Sequence, residues 1–564
     1  MRGLRGRLRI LAGIVILAAV IVAILDPQAA FNAVQLPLFA LFSTTRMVLA
    51  YMLSLVFAIT FGATAATNKR AAVIMLPLLD VLQSVPILGF FPAALVFFVV
   101  TFQGSPVGIE LAVTFLIFTS MAWNMAFGVY ESLTTIPVDL EAAAASFGLR
   151  GMLRFRLLAL PAAIPKLVYN SILSWSNGWF FLVASETFTA FGGTYTRPGL
   201  GSFITNAGIA GDATGIALGI GVLAAVVLAL DTFVWRPLGV WSERFRMETT
   251  GHEVPRAPSP YERFRWLPRF PRLRRTFRTA IQPVVTKYHR ASVRLDRTYS
   301  AHPQVLRDIR YVDLAMFVAI LALVVVVGVL GLARLFLSRL PDAAAELPRA
   351  AASSFIRLGL AYGIALAWTI PMAAWIGRSP RGSRYITPVL EVAASLPATA
   401  LLPIIVGFAL IVTASLGPAA ELSAILIALF SMQWYLLFNL IAGVRGIPED
   451  LEEAARSFGL RGRAYWRRVL LPAMVPSLLT GSITAWGAGW NALIVSEYIP
   501  FLSPPPHVSG LGYLLDIATF RKPLPDNEMI LLTILTMIVI VLAMNKLLWR
   551  PLYKRAAVKY RVEV

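Results

Sequence analysis

Two stretches of this chain are nearly the same: Ile136-Pro-Val-Asp-Leu-Glu-Ala-Ala-Ala-Ala-Ser-Phe-Gly-Leu-Arg-Gly151 and Ile447-Pro-Glu-Asp-Leu-Glu-Glu-Ala-Ala-Arg-Ser-Phe-Gly-Leu-Arg-Gly462. The second follows the first by 311 residues, and the offset extends outward in both directions. Upstream, Arg46 matches Arg357, Tyr51 matches Tyr362, Pro77 matches Pro388, Pro86 matches Pro397 and Trp123 matches Trp434. Downstream, Pro161 matches Pro472, Trp175 and Trp179 match Trp486 and Trp490, and Glu186 matches Glu497. Gly199-Leu-Gly201 meets Gly510-Leu-Gly512 in the same register. Only where Trp235-Arg-Pro-Leu238 meets Trp549-Arg-Pro-Leu552 does the offset become 314. The chain is two copies of one unit, and a repeat of this kind decides the architecture before any single motif does.

Composition names the solvent of that unit. Of 564 residues, 58% are hydrophobic and 14% charged, with a mean hydropathy of +0.73. A soluble domain carries about 25% charged residues, so this balance points to lipid. The absence of cysteine excludes a disulfide scaffold, thiolate metal sites and cysteine nucleophiles. A helix crosses a bilayer core of about 30 Å in roughly 20 apolar residues. Such stretches fall near 8–25, 40–66, 72–102, 109–130, 167–190 and 214–235, then 311–333, 350–376, 386–413, 420–441, 476–499 and 528–549. Arg2, Arg5, Arg7 and Arg9 before the first stretch suit a signal peptide or a retained helix. No small-residue cleavage site follows, and many spans come after it, which favours the retained helix. The expected fold is an all-α polytopic membrane protein of about 12 transmembrane helices. Residues 1–240 (core 46–204) and 311–564 (core 357–515) form its two six-helix repeats, and 241–310 form a basic, proline-rich linker. An even number of spans per copy makes the repeats parallel, an arrangement suited to a pathway between halves.

The net charge of +21 is concentrated. Four arginines precede the first span, residues 241–310 carry 16 Lys+Arg against 6 Asp+Glu, and Lys554–Val564 has a net charge of +3. Lys69, Arg70, Arg378, Arg381 and Arg384 lie in loops on the same side, whereas Asp26 and Glu110 lie on the other. By the positive-inside rule both termini and the linker are cytoplasmic. Pro255, Pro258, Pro260, Pro268 and Pro271 forbid a long helix through the linker. Its arginines suit the anionic inner leaflet, at about 1 kcal/mol each, or a cytoplasmic partner. The run Phe264-Arg-Trp-Leu-Pro-Arg-Phe270 also has the interleaving that stacks on nucleic acid, the least favoured reading on so apolar a chain.

The repeated stretch is a polar loop between the fourth and fifth spans of each copy. Asp139 and Glu141 open an Ala-rich helix that Gly148 ends; Asp450, Glu452 and Glu453 open its counterpart, which Gly459 ends. Acidic residues in a first turn complement the helix dipole, and glycine suits the turn that follows. One such loop reads as an ordinary capped interfacial helix. Two of them at matching topology read as docking elements for a cytoplasmic partner.

The loops resemble the Glu-Ala-Ala-x3-Gly-x9-Ile-x-Leu-Pro pattern of permease subunits of binding-protein-dependent ABC importers with the type I transmembrane fold. The second copy matches as Glu453-Ala454-Ala455, Gly459, Val469 and Leu471-Pro472, the first as Gly148, Leu158 and Leu160-Pro161. Ala142 stands where the first copy should have Glu, with Glu141 one residue earlier. Either Glu141 substitutes from the next helical position or the first loop docks more weakly. The resemblance covers about 46–240 and 357–553. It implies that these loops are coupling helices docked on two cytoplasmic ATP-binding subunits, with ATP and Mg on those subunits and no cofactor in this chain. It also implies a periplasmic or lipid-anchored solute-binding protein and a place in a bacterial inner membrane. No Gly-x4-Gly-Lys-Ser/Thr occurs, the four His are scattered, and no acid/base constellation or metal site is visible. The chain reads as a transport subunit rather than an enzyme.

Trp175, Trp179, Leu182 and Glu186 form one stripe of the fifth span, repeated as Trp486, Trp490, Leu493 and Glu497. Asn177 and Asn491 add amides nearby. These are the candidates for lining a pathway, although tryptophan equally suits packing or interfacial anchoring, and the glutamates suit a satisfied helix end. The Ser-Glu followed by Gly-Leu-Gly within Trp179–Gly201 and Trp490–Gly512 resembles the nitrate, sulfonate, taurine and bicarbonate branch, which implies a small oxyanion or organic acid. Gln83, Ser84, Asn124, Ser395, Gln433 and Asn439 are further polar candidates. A secondary transporter driven by an ion gradient is the main rival and leaves the duplicated loop unexplained. A membrane-embedded enzyme would need clustered catalytic residues.

Overall fold

Leu36–Thr67 and Leu347–Arg378, 311 residues apart, each form one 32-residue helix, here α1 and α9. The computed structural model describes residues 34–84, 86–190, 193–245, 342–379, 381–497, 508–521 and 526–559. The expected spans 8–25 and 311–333 and most of the linker lie outside these residues. After α1 the first half continues with α2 (Lys69–Ser84), α3 (Ile87–Thr101), α4 (Pro106–Thr134), α5 (Val138–Ser146), α6 (Gly151–Ser185), α7 (Leu200–Ala210) and α8 (Ala213–Phe245). The second half repeats the order after α9: α10 (Thr387–Ala394), α11 (Leu402–Thr413), α12 (Leu416–Arg445), α13 (Glu449–Ser457), α14 (Gly462–Ser496), α15 (Leu511–Asp516) and α16 (Asn527–Ala556). Among the described residues, eight helices are long and apolar enough to cross a membrane: α1, α4, α6, α8, α9, α12, α14 and α16.

The structure corrects the expectation of single continuous spans at 72–102 and 386–413. Each is two helices, interrupted before Pro86 and around Pro397. Proline lacks the N–H of the helical ladder and drives its predecessor out of the helical region. The fifth span also stops earlier than expected. An antiparallel hairpin, β1 (Thr187–Ala190) with β2 (Gly193–Thr196), follows α6 in register Thr187↔Thr196, a departure from an all-helical chain. Inside α6 and α14 single π-helical turns at Phe155–Ala159 and Trp466–Leu470 directly precede Leu160-Pro161 and Leu471-Pro472. The wider turn absorbs the hydrogen bond that proline cannot donate.

In each half the middle helix packs on both sides, α4 between α1 and α6, and α12 between α9 and α14. Gly178 of α6 lets that helix close on Met47 and Met121; Gly489 of α14 does the same against Leu358 and Met432. A second crossing is conserved by exchange. Gly128 of α4 faces Asn170 of α6, whereas in the second half Asn439 of α12 faces Gly481 of α14. The same gap is filled by one asparagine, placed on opposite helices in the two copies.

The halves meet by a two-fold exchange. Leu88 donates its N–H to Asn491 Oδ1 at 3.3 Å, and Thr399 Oγ1 donates to the Phe180 carbonyl at 3.1 Å. Position 399 is the counterpart of 88 and 491 that of 180, so the same two positions meet on either side. Ala398, Ala400, Leu402, Ile405 and Ala492 of the second half join the apolar core of the first.

Candidate functional site

Arg46 sits eleven residues into α1, where a guanidinium is costly unless paired. Two carboxylates hold it. Nε and Nη2 donate to the two oxygens of Glu110 at the start of α4, at 2.8 and 2.9 Å, and Nη1 donates to Glu186 Oε1 at 2.8 Å. Nη1 also donates to the Pro198 carbonyl at 2.9 Å. Glu186, at the end of α6, has 0% exposure. Ser43 Oγ donates to its Oε1 at 2.6 Å and the Gly201 N–H to its Oε2 at 2.6 Å. Leu200 N–H donates in turn to Ser43 Oγ at 2.9 Å. The start of α7 is thereby tied to α1, α4 and α6 by one polar knot.

The second half repeats the knot, except that the Ser509 carbonyl accepts from Arg357 Nη2 at 2.8 Å where the Pro198 carbonyl accepts from Arg46 Nη1. Arg357 donates to Glu421 from Nε and Nη2 at 2.6 and 2.8 Å, and from Nη1 to Glu497 Oε1 at 2.9 Å. Ser354, Gly512 and Leu511 take the places of Ser43, Gly201 and Leu200. Glu497 likewise has 0% exposure. One member differs: Arg197 Nε adds a bond to Glu110 Oε1 at 2.9 Å, and its counterpart is Val508. Gly199 and Gly510 are required because a Cβ on either would overlap the glutamate carboxylate.

Glu186 and Glu497 are the buried centres of the knots. Trp175 and Trp179, with Trp486 and Trp490, are buried within the helix packing of their halves. Trp175 packs with Tyr51 and Trp235 at ring separations of 5.3–5.7 Å, and Trp486 with Tyr362 and Trp549 at 5.7–6.3 Å. Aromatic edges fill a helix crossing there. Asn177 and Asn491 are half-buried, and Asn491 serves the contact between halves. Asn439 fills the crossing against Gly481, and Gln433 is buried; Gln83 and Asn124 are exposed and Ser395 is half-buried. For Ser84 the structure describes only its place in α2.

The loop helices lie at the opposite end of the bundle, since α5 follows the end of α4 whose start holds Glu110. At 1.5 Å per residue the two sites are roughly 35 Å apart. Asp139 and Glu141 fall in the first turn of α5. Gly148 and Gly459 take φ of +69° and +68°, and the next residue returns its N–H to Ala144 or Ala455 at 2.9 Å, a left-handed helix stop. Asp450 and Glu453 are exposed on α13, and Glu452 is half-buried. Immediately before each glycine, Phe147 is 83% exposed and Phe458 82%. Both aromatics are thus held outward at the same position of the two copies. Glu141 is turned to Arg154, whose Nε donates to it at 2.8 Å with a second close contact. That hydrogen bond holds the Glu141 carboxyl below the usual carboxylate range. Its counterpart in the second copy is Glu452, while Glu453 matches Ala142. Glu141 thus occupies the register of Glu452 and is engaged by Arg154.

The buried knots were legible only in part. Arg46 and Arg357, and Glu186 and Glu497, were visible as matched charges in apolar surroundings, a signal that opposite charges pair. Ser43, Glu110 and the backbone of Leu200 lie too far apart in sequence to be joined by spacing.

Two segments of the chain, residues 58–236 and 363–548, match the model of the binding-protein-dependent transport system inner membrane component. The taurine transport system permease protein TauC of Escherichia coli is 29% identical over 30% of this chain and 56% of its own length. The nitrate import permease protein NrtB of Leptolyngbya laminosa is 31% identical over 26% of this chain and 50% of its own length. The bicarbonate transport system permease protein CmpB of Synechococcus elongatus is 28% identical over 26% of this chain and 50% of its own length. The chain thus spans about half the length of these curated relatives. With the family matched once in each copy over more than half the chain, and with the helices of a multi-pass membrane protein around it, this protein belongs to the binding-protein-dependent transport system inner membrane components.

Proposed function

We propose that the chain is both membrane halves of an ATP-driven importer, fused into one polypeptide. Two cytoplasmic ATP-binding subunits, carrying ATP and Mg, dock on α5 and α13. A periplasmic or lipid-anchored solute-binding protein delivers a small oxyanion or organic acid, such as nitrate, a sulfonate, taurine or bicarbonate, to the opposite face. The membrane is the bacterial inner membrane, with both termini cytoplasmic. The observation that carries this reading is the duplicated surface helix with Phe147 and Phe458 held outward. A two-fold contact between halves presents the two helices as a symmetric pair for two ATPase domains. The buried knots act as rigid ends: they fix α7 and α15 so that tilting of helices is passed on rather than dissipated in loose turns.

Affinity purification of the chain from native membranes tests this. Two ATP-binding chains should co-purify, and in proteoliposomes uptake should require ATP, Mg and the solute-binding protein. A chain that purifies alone and moves solute without ATP would sink the reading in favour of a gradient-driven transporter.

A further inference from the structure

A cationic cavity of about 320 Å³ lies beside α13, at the low end of the roughly 300–1,000 Å³ of ligand pockets. Arg378 from the end of α9, Glu452 and Arg456 from α13, and Arg461, Tyr465 and Trp466 from the start of α14 line it. Arg378 lies over the Tyr465 ring, 4.5 Å from its centroid, which fixes its direction. Glu452 accepts from Arg456 Nη2 and from Tyr465 Oη, both at a long 3.3 Å. Three guanidinium groups thus line the cavity with one carboxylate, which bonds only one of them, Arg456, and at a long distance. An excess of guanidinium groups in one cavity favours an anion at its centre, and planar guanidinium forks match phosphate oxygens.

The first half is an internal control. Thr67 and Ala145 stand where Arg378 and Arg456 stand, and Arg154 replaces Tyr465 and takes Glu141 as its own partner. The shared fold therefore does not need these arginines. The cavity also sits at a membrane boundary: Trp375, one turn before Arg378, is 52% exposed, and Trp466 lines the cavity itself. Exposed tryptophans at span ends mark the headgroup level, where basic pockets take lipid phosphates. We propose that this cavity binds a phosphate-bearing anion, presented by an anionic phospholipid headgroup or as free phosphate.

The test uses the full chain, purified with any subunits that accompany it and delipidated. Native mass spectrometry follows titration with phosphatidylglycerol or phosphatidylcholine, and thermal unfolding follows inorganic phosphate. The double variant Arg378→Thr/Arg456→Ala installs residues with which the first half already packs. Arg461→Gln, on an exposed turn, is a second variant should the double variant misfold. Wild type should retain phosphatidylglycerol at least tenfold better than phosphatidylcholine, and either variant should lose that preference, while Arg378→Lys keeps most of it. Stabilisation of wild type by inorganic phosphate alone, lost in the variants, would identify free phosphate as the source. If wild type and variants retain both lipids alike and phosphate stabilises neither, the proposal is overturned. That result is also expected if an acidic side chain of a docked subunit fills the cavity instead.

Discussion

At the scale of single residues, the knots make specific demands. Glu186 has no exposure, one guanidinium partner and two further donors, so removing Arg46 leaves an uncompensated buried charge. Breaking a buried pair from one side costs about 3–5 kcal/mol. Gly199→Ala attacks the same centre from the backbone. Its Cβ would occupy the carboxylate's position, and that carboxylate cannot swing aside without releasing Arg46, Ser43 and Gly201. Overpacking of this kind costs about 1–3 kcal/mol. We expect Gly199→Ala and Gly510→Ala each to lower the unfolding midpoint in fluorescence-detected gel filtration. Gly221→Ala, with open space around it, should not. Glu141 responds to pH. Its carboxyl is held below the ordinary value by Arg154, so its contribution is present above the unfolded-state pKa, near 4.5, and is lost as pH falls through the folded value. Limited proteolysis at the first loop should accelerate on acidification towards pH 4 in wild type, and Glu141→Gln should cut fast at both pH values.

At the scale of elements, the exchange of Gly128/Asn170 for Asn439/Gly481 offers a cleaner experiment. Each asparagine donates its amide to a carbonyl four residues back on its own helix, Lys166 or Tyr435, and leans into a glycine on the other helix. Gly128→Asn alone puts two asparagines into one gap and should cost about 1–3 kcal/mol. Adding Asn170→Gly recreates the second-half arrangement and should recover most of the loss, a coupling of about 0.5–3 kcal/mol. Additive losses in the double variant would show that the two crossings are not equivalent. This exchange was invisible to a search for identical residues, because each half looks divergent at both positions. The repeat, the span composition and the loop helices were legible because they rest on local periodicity and on residue identity at one fixed offset. The broken spans were legible in principle: Pro86 and Pro397 matched, but their apolar flanks hid the break. The partners of the tryptophan stripe were not legible, because a stripe tells which face is special and not what it meets. Tyr51 and Trp235, and Tyr362 and Trp549, arrive there from distant helices.

For the whole molecule, two-fold symmetry of the frame contrasts with inequality of the loop helices α5 and α13. The frame is matched in the knots, in the Trp–Tyr clusters and in the contact between halves. The loops share their glycine stops and their outward phenylalanines, yet differ in charge. On α13 Glu453 is exposed, and Glu452 and Arg456 pair elsewhere on the helix. On α5 the position of Glu453 is Ala142, and the only nearby glutamate is spent on Arg154. A symmetric pair of ATPase domains would then meet a free glutamate at position 453 on one loop and an alanine at position 142 on the other. Phe147→Ala and Phe458→Ala should weaken co-purification of ATP-binding subunits to similar degrees, because both remove the same apolar anchor. Glu453→Ala should lower solute moved per ATP hydrolysed more than Glu141→Ala does, because only Glu453 is free to engage a partner across the interface. Uptake and hydrolysis measured together in proteoliposomes separate the two cases. Equal loss of coupling in both variants would mean that Glu141 leaves Arg154 on docking and that the loops act alike. A difference would make the fused chain a transporter whose two strokes are driven through unequal contacts.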